Sequence, residues 1–319
     1  MTGDRALIVV IVGPGALGCL FAALLSKAGH SVWFLDHDRE RACKIADHGV
    51  CLLETMPQFQ AVRATVNANE IGRADVVLLC VKSYDVGKAL EMAAPLLVEG
   101  PLLIALQNGL GHHEILRRCA GLSWAVGITS QGAALVEPGV VRHGGSGITT
   151  LGFMDKAGIA AHQCLAETAA LFAAAGLPAT VSADISSAVW DKLLVNVGIN
   201  ALTALYDCAN GELLEKRRAR EQLRQAVREA ARVARARGVN ISGDPVARTE
   251  AVCRATNKNI SSMLQDIRHG RPTEIEAING VIVREAAALG MDVPVNQELT
   301  QKIRAIQAGG SVNRNRSVP

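Results

Sequence analysis

The sequence predicts an α/β chain: a doubly wound parallel sheet flanked by helices, followed by an all-helical segment. Three observations carry that expectation. Up to about residue 180, short apolar runs alternate with helical stretches, the pattern of β-α-β units. After about residue 183 the strand pattern stops and only helical periodicity continues. The 319 residues, 49% apolar and 20% charged, have the balance of a globular chain of about two domains.

Taken in order, the first element lies within Ala6–Leu25, twenty residues without a charge and so the length of a bilayer span. Gly13-Pro14-Gly15 interrupts it, and the pattern changes there. Leu7–Val12 is a continuous run rich in β-branched residues, suited to a strand buried on both faces, and Ala16–Ala28 reads as a helix ending at Gly29. Strand, tight turn and helix therefore replace the span. Ser31–Leu35, Ala61–Val66, Val76–Val81, Leu102–Leu106 and Ala125–Ile128 are the next strand candidates. Residues 133–152 are punctuated by Glu137-Pro138-Gly139 and by a Gly-rich stretch at 143–147, which predicts hairpin-like antiparallel strands closing the domain's edge. Ile185–Ala209, Leu213–Arg237, Pro245–Ala255 and Glu274–Leu289 read as helices. The expected boundaries are 1–182 for the first domain, 183–308 for the helical domain and 309–319 for a disordered tail with almost nothing to bury.

Composition narrows the partners. A net charge of +3 is too small to argue for nucleic acid or an acidic membrane surface. The arginines of the 215–237 helix are interleaved with Glu215, Glu221 and Glu229, as on a solvated face. Eight cysteines without a C-x-x-C pair read as free thiols of a reducing cytoplasm, and eight histidines without ligand spacing predict no metal. A soluble, cytoplasmic protein that binds neither nucleic acid nor membrane is expected.

Gly13-Pro14-Gly15-Ala16-Leu17-Gly18 is G-x-G-x-x-G, placed after a buried strand and at the start of a helix, the context that gives the pattern meaning. Gly13 permits the tight turn, Gly15 lets the backbone approach a pyrophosphate, and Gly18 lets helix and strand pack closely. The expectation is a Rossmann-type dinucleotide site. The second strand ends at Asp36, eighteen residues beyond Gly18, where a carboxylate would accept from the adenine ribose hydroxyls and favour NAD (NADH). Arg39 and Arg41 follow and would neutralise a 2′-phosphate if the loop folds back, so NADP (NADPH) stays open beside it. Lys82 and the Gln107-Asn108-Gly109 turn follow later strands, where a doubly wound sheet places its ligand.

In the apolar stretch 190–202, Lys192, Asn196 and Asn200 recur at i, i+4 and i+8, one face of a helix. Burying a lysine and two amides without partners costs about 1–3 kcal/mol per group, so the stripe either faces solvent or lines a polar cavity, and its apolar flanks favour the cavity. Thr273 before acidic residues looks like an N-cap, which would make Glu274 a first-turn glutamate complementing the helix dipole.

Together with Asn210-Gly211-Glu212, the block Ser261-Ser262-Met263-Leu264-Gln265-Asp266 and the block Thr273–Gly280, these residues resemble the ketopantoate reductases (2-dehydropantoate 2-reductases) from about Ala6 to Thr300. The two late blocks are far more specific than the glycine loop. The resemblance implies a Rossmann domain, a helical domain and an active site in the cleft between them. It implies Lys192 as general acid and Glu274 as a polar partner near substrate, lysine and cofactor. Asn108 would be shared by cofactor and substrate, and Asn196, Asn200, Asn210 and Ser262 would bind substrate. It further implies NADPH, although Asp36 stands where NADPH-using members often carry arginine, and it leaves a homodimer open. The expected activity is hydride transfer to the ketone of ketopantoate, giving pantoate for pantothenate and coenzyme A. Reduction of another 2-keto acid or oxidation of a β-hydroxy acid, and a non-catalytic dinucleotide-binding sensor of the same fold, are the alternatives.

Overall fold

The computed structural model describes residues 6–54, 56–119 and 121–309; beyond Gly309, the predicted tail lies outside them. The chain forms two compact units. One takes the described residues to Gln107 together with His112–Ile185; the other takes Asn108–Gly111 and the described residues from Ser186.

The first unit runs β1 (Ile8–Val12), α1 (Ala16–Lys27), β2 (Ser31–Leu35), α2 (Arg39–His48), β3 (Val50–Leu53), β4 (Gln58–Gln60), β5 (Arg63–Thr65) and β6 (Val76–Leu79). It continues with α3 (Val86–Leu97), β7 (Leu102–Ala105), α4 (His113–Arg117), β8 (Trp124–Thr129), β9 (Gly132–Glu137), β10 (Val140–Gly145), β11 (Thr149–Gly152), α5 (Ile159–Ala174) and β12 (Ala179–Val181). Its eight-stranded sheet has the order β12-β11-β8-β7-β6-β1-β2-β5, and the six strands from β5 to β8 are parallel. Numbered within that parallel set the order is 3-2-1-4-5-6, with the direction of winding reversing beside β1, as a Rossmann sheet requires. Val9–Val12 and Val76–Leu79 are buried throughout, which explains why these strands are continuous apolar runs rather than alternating ones. Phe21 on α1 meets Phe172 on α5 edge to face, at 5.3 Å between centroids.

The predicted hairpin exists but does not close the edge of this sheet. β9 and β10 pair antiparallel, yet β10 runs parallel to β3 in a second, four-stranded sheet of order β4-β3-β10-β9. Val50, Leu52 and Val141 there bury against the same core as α1, so burial of that apolar face draws the hairpin away from the large sheet. Only β11 joins the large sheet, antiparallel to β8, and β12 takes the edge.

The second unit is built from α6 (Ile185–Tyr206), α7 (Glu212–Glu215), α8 (Arg217–Ala236), α9 (Pro245–Ala255), α10 (Ser262–Arg268), α11 (Asn279–Ala288) and α12 (Pro294–Gln307). The helix predicted over 213–237 is broken at Lys216, whose ψ of 102° is extended. The one predicted over 274–289 begins as a single 3-10 turn, Ile275–Ala277, before α11. An aliphatic core of Leu, Val, Ile and Ala fills the unit, with Trp190 the one buried large aromatic among its described residues. No helix among the described residues is long and apolar enough to cross a membrane.

Candidate active site

In the first unit the glycine turn has the geometry its sequence implies. Gly13 adopts a positive φ of 98°, and a side chain there would meet Val81. At Gly18 a Cβ would overlap the Gly13 carbonyl, whereas at Gly15 it would meet only the Cys80 carbonyl, 3.9 Å away. The turn is thus tight underneath and open above. Gly15 caps α1 without a side-chain hydrogen bond, and no acidic residue occupies the first turn. The start of α1 therefore presents N–H groups and positive potential to an anion, and Gly13, Pro14, Gly15, Ala16, Leu17 and Gly18 fit a pyrophosphate.

Asp36, at the end of β2, is 1% exposed. Arg41 grips it in a fork, Nε to Oδ2 and Nη2 to Oδ1, both at 2.6 Å, and the Asp38 N–H donates to Oδ1 at 3.2 Å. Of the two arginines, both in the first turn of α2, it is Arg41 that folds back. Asp38 caps α2, accepting from the Arg41 N–H. Lys82 sits half-buried before the 3-10 turn Ser83–Asp85, in the loop that follows β6. Gln107 Nε2 donates to the Leu79 and Val81 carbonyls, tying this loop to the end of β7.

In the second unit α6 carries Lys192, Asn196 and Asn200 on one face. Asn200 is buried, and Lys192 and Asn196 are half-buried. Desolvation pushes the Lys192 ammonium down to about 8, against the opposing pull of the Glu274 carboxylate, which favours the charged form. Glu274 is buried and accepts from Asn108 Nδ2 at 3.2 Å. That places Asn108 with the helical unit, where the Leu110 N–H also donates to the Ala277 carbonyl. Among the described residues no side-chain hydrogen bond engages the amides of Asn196 or Asn200, which leaves donors and acceptors for a ligand.

Glu274 is not the dipole-complementing glutamate of a helix first turn. It precedes a 3-10 turn with its side chain buried, while Thr273 donates to Gln307 Oε1 at 2.6 Å and accepts from the Ile275 N–H. Asn210 is buried, its Nδ2 donating to Thr256 Oγ1 at 2.9 Å, and its Oδ1 is enclosed without a protein partner. Ser262 lies exposed at the first position of α10; the neighbouring Ser261 is buried, caps that helix and meets Thr203 Oγ1 of α6 at 2.6 Å. The geometry thus brings together Lys192, Glu274 and Asn108, keeps Asn196 and Asn200 on the lysine's helix face, and leaves Asn210 and Ser262 on other elements. Sequence reasoning did not single out Thr203 or Ser261 within this arrangement. Thr203 lies three residues beyond Asn200, a spacing that could have flagged it.

Several comparisons bear on this arrangement. The family model described as ketopantoate reductase PanE/ApbA matches residues 9–156, and that described as its C terminal matches residues 184–307. A 2-dehydropantoate 2-reductase of Halobacterium salinarum is 39% identical over 305 residues, 95% of this chain and 99% of its own. The crystal structure of a PanE/ApbA family ketopantoate reductase from Ralstonia eutropha JMP134 superposes with a TM-score of 0.87 at 31% identity, over 95% of this chain and 99% of that one. A D-mandelate dehydrogenase solved with NADH and anilino(oxo)acetate has the same TM-score at 26% identity, with the same coverage. With a parallel sheet of Rossmann order, a glycine turn open to a pyrophosphate and a desolvated lysine beside a buried glutamate, the chain belongs to the ketopantoate reductase family.

Proposed function

We infer that this chain is an NAD(P)H-dependent oxidoreductase that reduces the ketone of ketopantoate to the secondary alcohol of pantoate. The observation that carries the reading is the grouping of Lys192, Glu274 and Asn108, with Asn196 and Asn200 along the lysine's helix face, in a chain 39% identical to a 2-dehydropantoate 2-reductase.

The reduced nicotinamide, when bound, supplies the hydride that goes to the ketone carbon. Lys192 Nζ hydrogen-bonds the ketone oxygen, balances the negative charge that grows there and delivers the proton. With its pKa brought to about 8, the ammonium is mostly protonated near neutral pH and still parts with its proton more readily than an ordinary lysine. Glu274 favours the charged lysine and holds Asn108 by a hydrogen bond, so one carboxylate orders both groups. The amides of Asn196, Asn200 and Asn210 and the Ser262 hydroxyl hold the substrate's carboxylate and hydroxyl without adding a competing charge. Gly13 to Gly18 receive the cofactor's pyrophosphate, and Lys82 meets a cofactor phosphate.

For the cofactor, Asp36 favours the free ribose hydroxyls of NADH. Arg41, which neutralises that carboxylate and keeps its side chain 29% exposed, is what admits the 2′-phosphate of NADPH. Arg41→Ala should then raise KM for NADPH by about tenfold or more while moving KM for NADH little, since one charge-assisted contact contributes about 1.5–3 kcal/mol. Equal losses with both cofactors would confine Arg41 to a structural role.

The activity itself is tested by following NADPH and NADH oxidation with ketopantoate and, in parallel, with other branched and aromatic 2-keto acids. Turnover of ketopantoate at the highest kcat/KM is expected. A higher kcat/KM with an aromatic 2-keto acid would move the assignment toward the chemistry of the D-mandelate dehydrogenase neighbour, and no oxidation with any of them would leave a dinucleotide sensor.

A further inference from the structure

The block Thr273–Gly280 contains an asparagine, Asn279, to which the chemistry above gives no task. It opens α11 and is fully buried. Its Nδ2 donates to the Val197 carbonyl of α6 at 3.2 Å and to Asn296 Oδ1 of α12 at 3.0 Å. Asn296, also fully buried, donates from its own Nδ2 to the Ala226 carbonyl at 3.0 Å and to Glu229 Oε2 at 2.8 Å, both on α8. Glu229 closes the chain by accepting the Val295 and Asn296 backbone N–H groups at 3.0 Å each, capping α12 from another helix. Each amide nitrogen faces only acceptors, so flipping either amide would set a carbonyl oxygen against other oxygens. The orientation of both is fixed by the network.

The chain therefore runs from α8 through α12 and α11 and ends on one carbonyl of α6. That carbonyl belongs to the turn between Asn196 and Asn200, one turn beyond Lys192. At the next residue, Gly198, α6 packs close against α8 and α9: a Cβ there would lie 2.7 Å from Val227 Cγ2 and 2.8 Å from Thr249 Cγ2. Two independent constraints thus fall on adjacent residues of the same turn. The close approach at Gly198 sets the depth of α6, and the amide of Asn279 sets its rotation, because only one azimuth points the Val197 carbonyl at that donor. Apolar packing alone is a poor guide to azimuth here, since α6 is apolar on most sides and a small rotation would exchange one aliphatic contact for another.

We propose that Asn279, backed by Asn296 and Glu229, is a positioning residue that fixes the rotation of α6 and so aims Lys192, Asn196 and Asn200 at the substrate. This rests on Lys192 as proton donor. A helix radius of about 2.3 Å plus a long side chain turns a small rotation into a displacement on the order of 1 Å at the ammonium, and misplacement of that size costs up to about 100-fold in rate.

The test compares Asn279→Leu, which keeps the volume and removes the donors, with Gly198→Ala, which presses on the same turn without touching the network, and with Lys192→Ala. Asn279→Ser, smaller and able to keep one donor, is the milder partner should Asn279→Leu not accumulate folded. For each variant kcat and KM for ketopantoate are measured per NADPH-binding site, with the pH dependence of kcat and the Kd for NADPH. The expected result for Asn279→Leu is a loss of about ten- to 100-fold in kcat, a displaced basic limb of the kcat–pH profile and an unchanged NADPH Kd, with Gly198→Ala shifting the same quantities. An unchanged kcat and pH profile in Asn279→Leu or Asn279→Ser, or a loss that merely tracks the folded fraction, overturns the proposal while Lys192→Ala remains inactive. Near-normal turnover by Lys192→Ala instead overturns the proton-donor reading, and the aiming of α6 falls with it.

Discussion

Lys192 answers to two demands that pull in opposite directions. Desolvation disfavours its charge, and the proton transfer proposed for it needs that charge to be present. Lys192→Ala should lower kcat by about 100- to 10,000-fold, the range of general acid catalysis, and leave NADPH binding intact; steady-state kinetics with fluorescence titration of the cofactor checks both. If Lys192 is the donor proposed above, kcat for reduction in the wild type should fall as pH rises through about 8. Stability runs the other way. The unfolded lysine keeps its proton up to its ordinary pKa of 10.5 and the folded one releases it near 8, so between those values the unfolded chain binds more protons and stability rises with pH. Below about 8 the burial penalty is present in full. Lys192→Met, which removes the charge and keeps the length, should therefore raise Tm at neutral pH while abolishing turnover, and a lowered Tm would mean that the ammonium's partners outweigh its desolvation.

At the scale of elements, the turn carrying Asn108 is held by backbone geometry as well as by the side chains of Gln107 and Asn108. Gly109 has a φ of 81°, and a Cβ there would overlap the Ala277 carbonyl that accepts from the Leu110 N–H. Gly109→Ala should displace Asn108 from Glu274, lowering kcat and costing about 1–3 kcal/mol of stability in urea denaturation, through strain in the left-handed region. The sequence marked this turn as an Asn-Gly signal at the end of a strand, where a ligand would lie, but carried nothing of its bond to Ala277. It was explicit about β1, the glycine turn, α1 and the Lys192 stripe, because there local periodicity and turn chemistry coincide with the final burial. It was silent on the pairing of β10 with β3, and on the 3-10 turn after Glu274, because both depend on partners far along the chain. Thr273 has the residue type of an N-cap but binds Gln307, thirty-four residues away, which no local pattern contains. Ser261 and Ser262 are indistinguishable in sequence, and only helix phase decides which one is buried.

For the whole molecule, the helical unit has a second ionic centre away from Lys192. Glu250, 7% exposed on α9, accepts from Arg220 Nε and Nη2 at 3.0 and 2.8 Å and from Arg224 Nε at 2.8 Å, both on α8. The Arg220 hydrogen bonds lead in holding its carboxyl down at about 2, below the usual glutamate range. A depressed carboxylate stabilises the fold above its ordinary pKa, near 4.5, and that contribution is lost as pH falls through about 2. Glu250→Gln should cost about 1–3 kcal/mol at neutral pH and flatten the acid limb of the stability curve; urea titrations at neutral pH and through the acid range measure both, and an unchanged acid limb would assign acid sensitivity elsewhere.

The four residues Asn108–Gly111 belong with the helical unit, although the chain on either side of them belongs to the sheet unit. The polypeptide therefore passes from one unit to the other three times. A crossover placed near residue 183, where the composition changes, would hand a recipient all seven helices and none of the Asn108 amide. Inheritance of the two units in this lineage is thereby yoked: a graft of the helices from another member must bring its own copy of this loop if Asn108 is to keep its place beside Glu274.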